Sequence, residues 1–197
     1  PGEELFLPGS FQPLRNLVGI AIHQPTGEIY VSTPSFVYKV TGLDQSMVVA
    51  GNGALTKSTD AFPNSPTPAV NVPLLALRDL AFDAAGNLFI CDSGHARVVK
   101  LDGGGLLSLV AQFSLQPFNQ YPAGLASIND SMYVANGNDQ TIWRLTGAGV
   151  TSPVLISGAS GVGCIYNGDN CGDGGTIANL RFGMARLSAP NTFVGLE

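Results

Sequence analysis

The chain has 197 residues, a formal net charge of -5 and only 12% charged residues, against 45% hydrophobic ones, with 25 Gly and 13 Pro. That is the composition of an ordered, turn-rich chain with enough length for one sizeable core, not of a solvated disordered one. The nine basic residues are scattered, which excludes a nucleic-acid footprint, and no apolar run approaches the roughly 18 residues needed to cross a bilayer as a helix.

The chain opens on "PGEELFLPGS", which has neither a basic n-region nor an apolar h-region, so any secretory leader is expected to have been removed already. Within it, residues 3–10, with Leu5, Phe6 and Leu7, resemble the last strand of a repeat unit. Three such units follow, at 18–53, 78–112 and 123–158. Each reads as four short strands rich in Val, Ile, Leu and aromatics, separated by turns of Gly, Asn, Asp and Ser. No segment shows a sustained helical period. The register repeats: Tyr30, Phe89 and Tyr133 share one position of the second strand, and Lys39, Lys100 and Arg144 share one of the third. Four strands in about 40 to 50 residues are the signature of a propeller blade. The expected fold is all-β, a β-propeller-type array of three four-stranded blades within a single domain. Orphan strands flank it at 3–10 and at 189–197, the latter containing Thr192, Phe193 and Val194.

In the second unit, Gly86-Asn87, "LFICDS" and "GHARVVKL" resemble the strand, turn and strand of the NHL-repeat family. The first and third units are more degenerate. "GDGGTIANLRFGMARLSAP", from Gly172 to Pro190, is similar to a segment that longer members insert between blades. The resemblance implies a propeller; propellers host many functions. Relatives include lyases acting on amidated-peptide precursors with a metal held by several His. This chain has only His23 and His95, both expected to be structural or surface residues, so no metal, cofactor or catalytic set is expected. No Gly-x-Ser-x-Gly elbow is present. Asp79, Asp83 and Asp92 all fall in the second unit, and Asp92 is expected to fix the "CDSGH" turn.

Between the first two units, "PNSPTPAV" reads as a stiff extended connection or, at Ser65 and Thr67, a site of O-linked sugars. Asn129-Asp130-Ser131 is an N-glycosylation sequon on an expected hairpin turn. Cys164 and Cys171 lie in a Gly- and Asn-rich loop and are expected to form a disulfide, the alternative being two reduced thiols; Cys91, in an apolar strand, is expected to be a buried free thiol. Asn167, Asp169 and Asp173 offer oxygen ligands, but without the spacing of an EF-hand loop or its bidentate Glu.

These features point to an extracellular protein. Two functions follow: a non-enzymatic scaffold or recognition module, or a section of a larger propeller enzyme of lyase or hydrolase type whose catalytic residues lie elsewhere. Expected partners are proteins, either copies of the chain or the rest of a longer one, and glycans; no nucleic acid and no membrane span are expected. The loose strands at both ends require partners for their backbone groups, supplied by a longer array or by a neighbouring subunit.

Overall fold

A computed structural model describes residues 16–43, 45–114, 121–128, 131–137, 141–145 and 153–157. The orphan strands, the sequon residue Asn129, the Cys164–Cys171 pair and the Asn167, Asp169, Asp173 loop lie outside them.

The first unit is an antiparallel meander of β1 (Gly19–His23), β2 (Glu28–Ser32), β3 (Val37–Gly42) and β4 (Gln45–Ala50). The third repeats it with β10 (Pro122–Ile128), β11 (Ser131–Asn136), β12 (Ile142–Leu145) and β13 (Val154–Ser157). In the middle unit, β6 (Leu77–Phe82), β7 (Leu88–Asp92), β8 (Arg97–Leu101) and β9 (Leu106–Gln112) form the same meander. A fifth strand, β5 (Thr67–Pro68), joins β9, so the Pro-rich connection belongs to the sheet. Pro68 cannot donate to a ladder, which suits an edge and leaves less open backbone for another chain. The Thr67 hydroxyl turns back and donates to the Ser65 carbonyl at 3.0 Å.

The repeat register appears directly in the pairing: Tyr30 lies opposite Lys39, Phe89 opposite Lys100 and Tyr133 opposite Arg144. On the first strands, Ala21, Ala81 and Ala126 face those same three aromatic residues. Because side chains alternate between faces, each sheet has one face toward the preceding unit and one toward the next. Ala21, Val37 and Ala50 pack with Leu80, Leu88, Ile90 and Val99 in one apolar cluster between the first two sheets. Phe89, Cys91, Val98 and Ala111 pack with Met132, Val134 and Leu145 in a second cluster between the last two. The middle sheet is therefore apolar and buried on both faces, and β7 is buried along its whole length.

The inserted segment folds back onto this core. Phe62, Ala69, Val72 and Leu74 are buried in the first cluster, and a 3-10 turn spans Ala69–Asn71. The Gly51 amide donates to the Ala69 carbonyl, and the Ala69 amide to the Gly105 carbonyl. Gly51 has φ +93, and a Cβ there would run into the Ser35 carbonyl oxygen; only glycine fits this close crossing.

Candidate functional site

The first strands β1, β6 and β10 are each the edge of a sheet, and they pack on one another side by side. Gly19 allows the closest approach: a Cβ there would lie 2.6 Å from the Arg78 carbonyl oxygen. On the other side of β6, Asp79 Oδ2 accepts the Leu125 amide at 2.8 Å while its Oδ1 accepts the Leu80 amide at 2.9 Å. A single half-buried carboxylate thus joins the inner strands of two sheets. Arg78, next to it in β6, is exposed, and its carbonyl lies against Gly19, while Gly124 of β10 faces the Asp79 carboxylate. The inner strands therefore present an exposed arginine among small residues.

A buried polar cluster lies under the neighbouring loops. Asp92, at the end of β7, is fully buried. Its Oδ1 accepts the Leu75 amide at 2.9 Å, and its Oδ2 accepts Arg97 Nε at 2.7 Å and lies 2.8 Å from His95 Nδ1. Arg97 is itself buried, stacked 5.0 Å over the Phe62 ring, and its remaining donors reach the Asp60 and Pro73 carbonyls at 3.4 Å. His95 Nε2 meets the Thr56 hydroxyl at 2.9 Å, and that hydroxyl donates to Asp60 Oδ2, also at 2.9 Å. The Lys57 amide and the Thr56 hydroxyl hold the Asp60 carboxyl below its usual range.

Hydroxyl, imidazole and carboxylate stand in the order of a nucleophile relay, yet the protons run the other way. The Thr56 hydroxyl hydrogen is directed at Asp60 and not at the imidazole, so it is not handed to His95 as a nucleophile's proton would be. Nδ1 then sits between Asp92 Oδ2 and Arg97 Nη2, the latter at 3.1 Å. The imidazole and guanidinium are both buried, out of reach of a substrate. The arrangement is a lock that fastens the inserted segment and the β7–β8 turn to the middle sheet.

The expected role of Asp92 in fixing its turn agrees with this geometry. His95 is a buried structural residue. His23 is half-buried, bonded to the Thr26 hydroxyl at 2.8 Å and packed 4.9 Å from the Phe82 ring. Asp83 closes the β6–β7 turn through two 2.8 Å contacts to Asn87. Cys91 is a buried free thiol, and burial, followed by the nearby Asp79 charge, pushes its pKa far up. Asp79, Asp83 and Asp92 are not brought together; each serves a different contact. Sequence reasoning missed Arg97, Thr56 and Asp60. The one cue to Arg97 was a charge at an alternate position of an apolar strand, and none announced Thr56. Among the described residues, no group of three or more His, Cys, Asp or Glu is placed to hold a metal, and no helix is long and apolar enough to cross a membrane.

No protein-family model and no curated protein matches the chain. Solved structures do. A streptogramin B lyase matches with a TM-score of 0.54 at 17% identity, covering 75% of this chain and 42% of that one. Virginiamycin B lyase from Staphylococcus aureus matches with a TM-score of 0.50 at 15% identity, over 74% of this chain and 42% of that one. The fold is that of a β-propeller. A gluconolactonase from Xanthomonas campestris matches with a TM-score of 0.50 at 13% identity, over 72% of this chain and 47% of that one. The chain thus spans under half the length of the structures it matches. The expectation of a non-enzymatic scaffold is corrected to this extent: the propeller structures that these blades resemble include enzymes, two lyases and a gluconolactonase. At these identities the shared feature is the fold.

Proposed function

We propose that the chain supplies blades of a propeller enzyme of lyase or lactonase type, contributing ligand-binding wall and scaffold while the reacting groups lie outside the described residues. The observation that carries this reading is the match to the streptogramin B lyase over three quarters of the chain. The packing of the inner strands β1, β6 and β10 supports it, because exposed Arg78 on the middle one offers a charge to an oxygen-rich ligand. The buried Asp92–His95–Arg97 lock supports a scaffold role for the middle blade itself. The repeat is read as NHL-type on "LFICDS" and "GHARVVKL", where Asp92, His95 and Arg97 form that lock. An extracellular location is part of the proposal and rests on the sequon at Asn129 and the Ser65 and Thr67 segment; intact mass before and after deglycosylation tests it.

The binding claim is tested by saturation-transfer NMR of the chain with gluconolactone and, separately, a streptogramin B. Saturable binding of at least one, abolished in Arg78→Glu with an unchanged circular-dichroism spectrum, is the expected result. Absence of binding by both, or binding indifferent to Arg78→Glu, overturns the reading.

A further inference from the structure

A β-bulge sits at the same place on two of the three inner strands. Between the pairs Leu77–Asp92 and Leu80–Ile90, two residues of β6, Arg78 and Asp79, stand against the single residue Cys91 of β7. Between the pairs Pro122–Asn136 and Gly124–Ala135, β10 carries one residue, Ala123, with no counterpart on β11. Counted back from Ala81 and Ala126, which face the aligned aromatic residues, Arg78 and Ala123 occupy one position of the repeat. Bulges bend a strand and re-aim a side chain, and they gather at barrel rims and beside active sites. Both residues are exposed. Because β6 packs between β1 and β10, Arg78 stands in the middle of the inner wall, flanked on each side by strands of this chain.

One of the two bulges carries a charge, and that charge is uncompensated. Within β1, β6 and β10, Arg78 is the one Lys or Arg and Asp79 the one carboxylate. Asp79 turns its oxygens to the Leu80 and Leu125 amides, at 2.9 and 2.8 Å. The ion pairs among the described residues join Lys39 to Glu28, and Asp92 to His95 and Arg97; none takes Arg78. The two amide bonds of Asp79, with Gly19 pressed on the Arg78 carbonyl, fix the backbone at the bulge. The side chain is thus a single planar guanidinium on a fixed base, and its fork matches the two oxygens of a carboxylate. The Asp79 charge beside it disfavours a dianion such as a phosphate monoester, for which these strands hold no second Lys or Arg.

We propose that Arg78 makes these inner strands selective for the carboxylate of a hydroxy acid over a neutral form of the same molecule, such as its amide or lactone. This rests on the ligand-binding role proposed for the inner strands and adds to it the charge of the ligand. The bulge is the device that supplies the selectivity: it turns toward the axis a side chain that a regular strand would direct at a neighbouring sheet.

Titration of the full chain with gluconate and with its neutral amide, gluconamide, tests it, followed by NMR of the Arg78 Nε–H and the surrounding amides. Gluconate is expected to bind roughly tenfold more tightly, the increment of a hydrogen bond to a charged group, and to shift the Nε–H signal. Added salt should narrow that advantage. Arg78→Gln, a change at an exposed side chain, is expected to bind both compounds alike. Adding Ala123→Arg to that variant is expected to restore the preference, because the second bulge presents its side chain as the first does. Gluconamide bound as well as gluconate by the wild type, a preference that survives Arg78→Gln, or a double variant that stays indifferent would each overturn the proposal. If gluconolactone or a streptogramin B binds through Arg78 while gluconate does not, the carboxylate assignment falls and the ligand-binding role stands. If none of them binds, both fall.

Discussion

Replacing Arg97 by Met removes the guanidinium and keeps most of the apolar stem. Asp92 is fully buried and would keep the Leu75 amide and His95 but lose its 2.7 Å charge partner, while the stack on Phe62 and the contacts to the Asp60 and Pro73 carbonyls disappear with it. Leaving one member of a buried ion pair unpaired costs about 3–5 kcal/mol. For a chain of this size each kcal/mol lowers Tm by roughly 2–4 °C, so the expected loss is about 6–20 °C. Thermal unfolding followed by circular dichroism measures it. Lys39→Met provides the internal comparison: Lys39 pairs with Glu28 at 2.5 Å, but their side chains are 26% and 35% exposed. An exposed pair of that kind, screened by solvent, contributes little. In the double variant Asp92→Asn, Arg97→Met, the loss should fall short of the sum of the single losses, since neither change then strands a charge. If Arg97→Met costs no more than Lys39→Met, the lock is not what fastens the inserted segment.

Gly51→Ala should destabilise by well over the ~1 kcal/mol typical of a left-handed glycine, because the new methyl meets the Ser35 carbonyl; Gly27→Ala, at φ +72 with open space around it, should show only the ordinary strain. Parallel urea titrations check the pair, and equal losses would contradict the close crossing. The buried Cys91 thiol is held protonated in the folded state, whereas in the unfolded chain it ionises near its ordinary value of about 8.5. Its folded pKa is raised, so the stability it contributes is complete below the unfolded value and is lost as pH rises above it, by up to about 1.4 kcal/mol per pH unit. Cys91→Ala, which keeps Cys164 and Cys171, should therefore show a shallower loss of stability above that value; identical slopes would mean that the thiol ionises in place.

The repeat was legible because each strand writes its position into an alternating pattern, and an aromatic residue opposite a basic one marks the same rung in all three sheets. Cys91 and the turn role of Asp92 were legible for the same reason: neighbours in sequence determine both. Contacts made across the chain were not. Thr56 reaches His95 over 39 residues and Asp79 reaches Leu125 over 46, and nothing local distinguishes those side chains from others in polar turns. The Pro-rich stretch read as a spacer because proline weakens a strand signal, yet at a sheet edge two residues suffice to add β5. The non-enzymatic reading rested on the chain's few His weighed as a set within one segment, and a likeness to propeller enzymes at this level of identity is carried by the fold, which no short motif of the chain spells out.

Amide chemical-shift mapping of the labelled chain, titrated with the ligand that binds, tests the account most directly. The account predicts that the perturbed amides fall at Gly19, Arg78, Asp79 and Gly124, on the inner strands β1, β6 and β10. Perturbations confined to the outer strands β4, β9 and β13, or none at saturation, would contradict it.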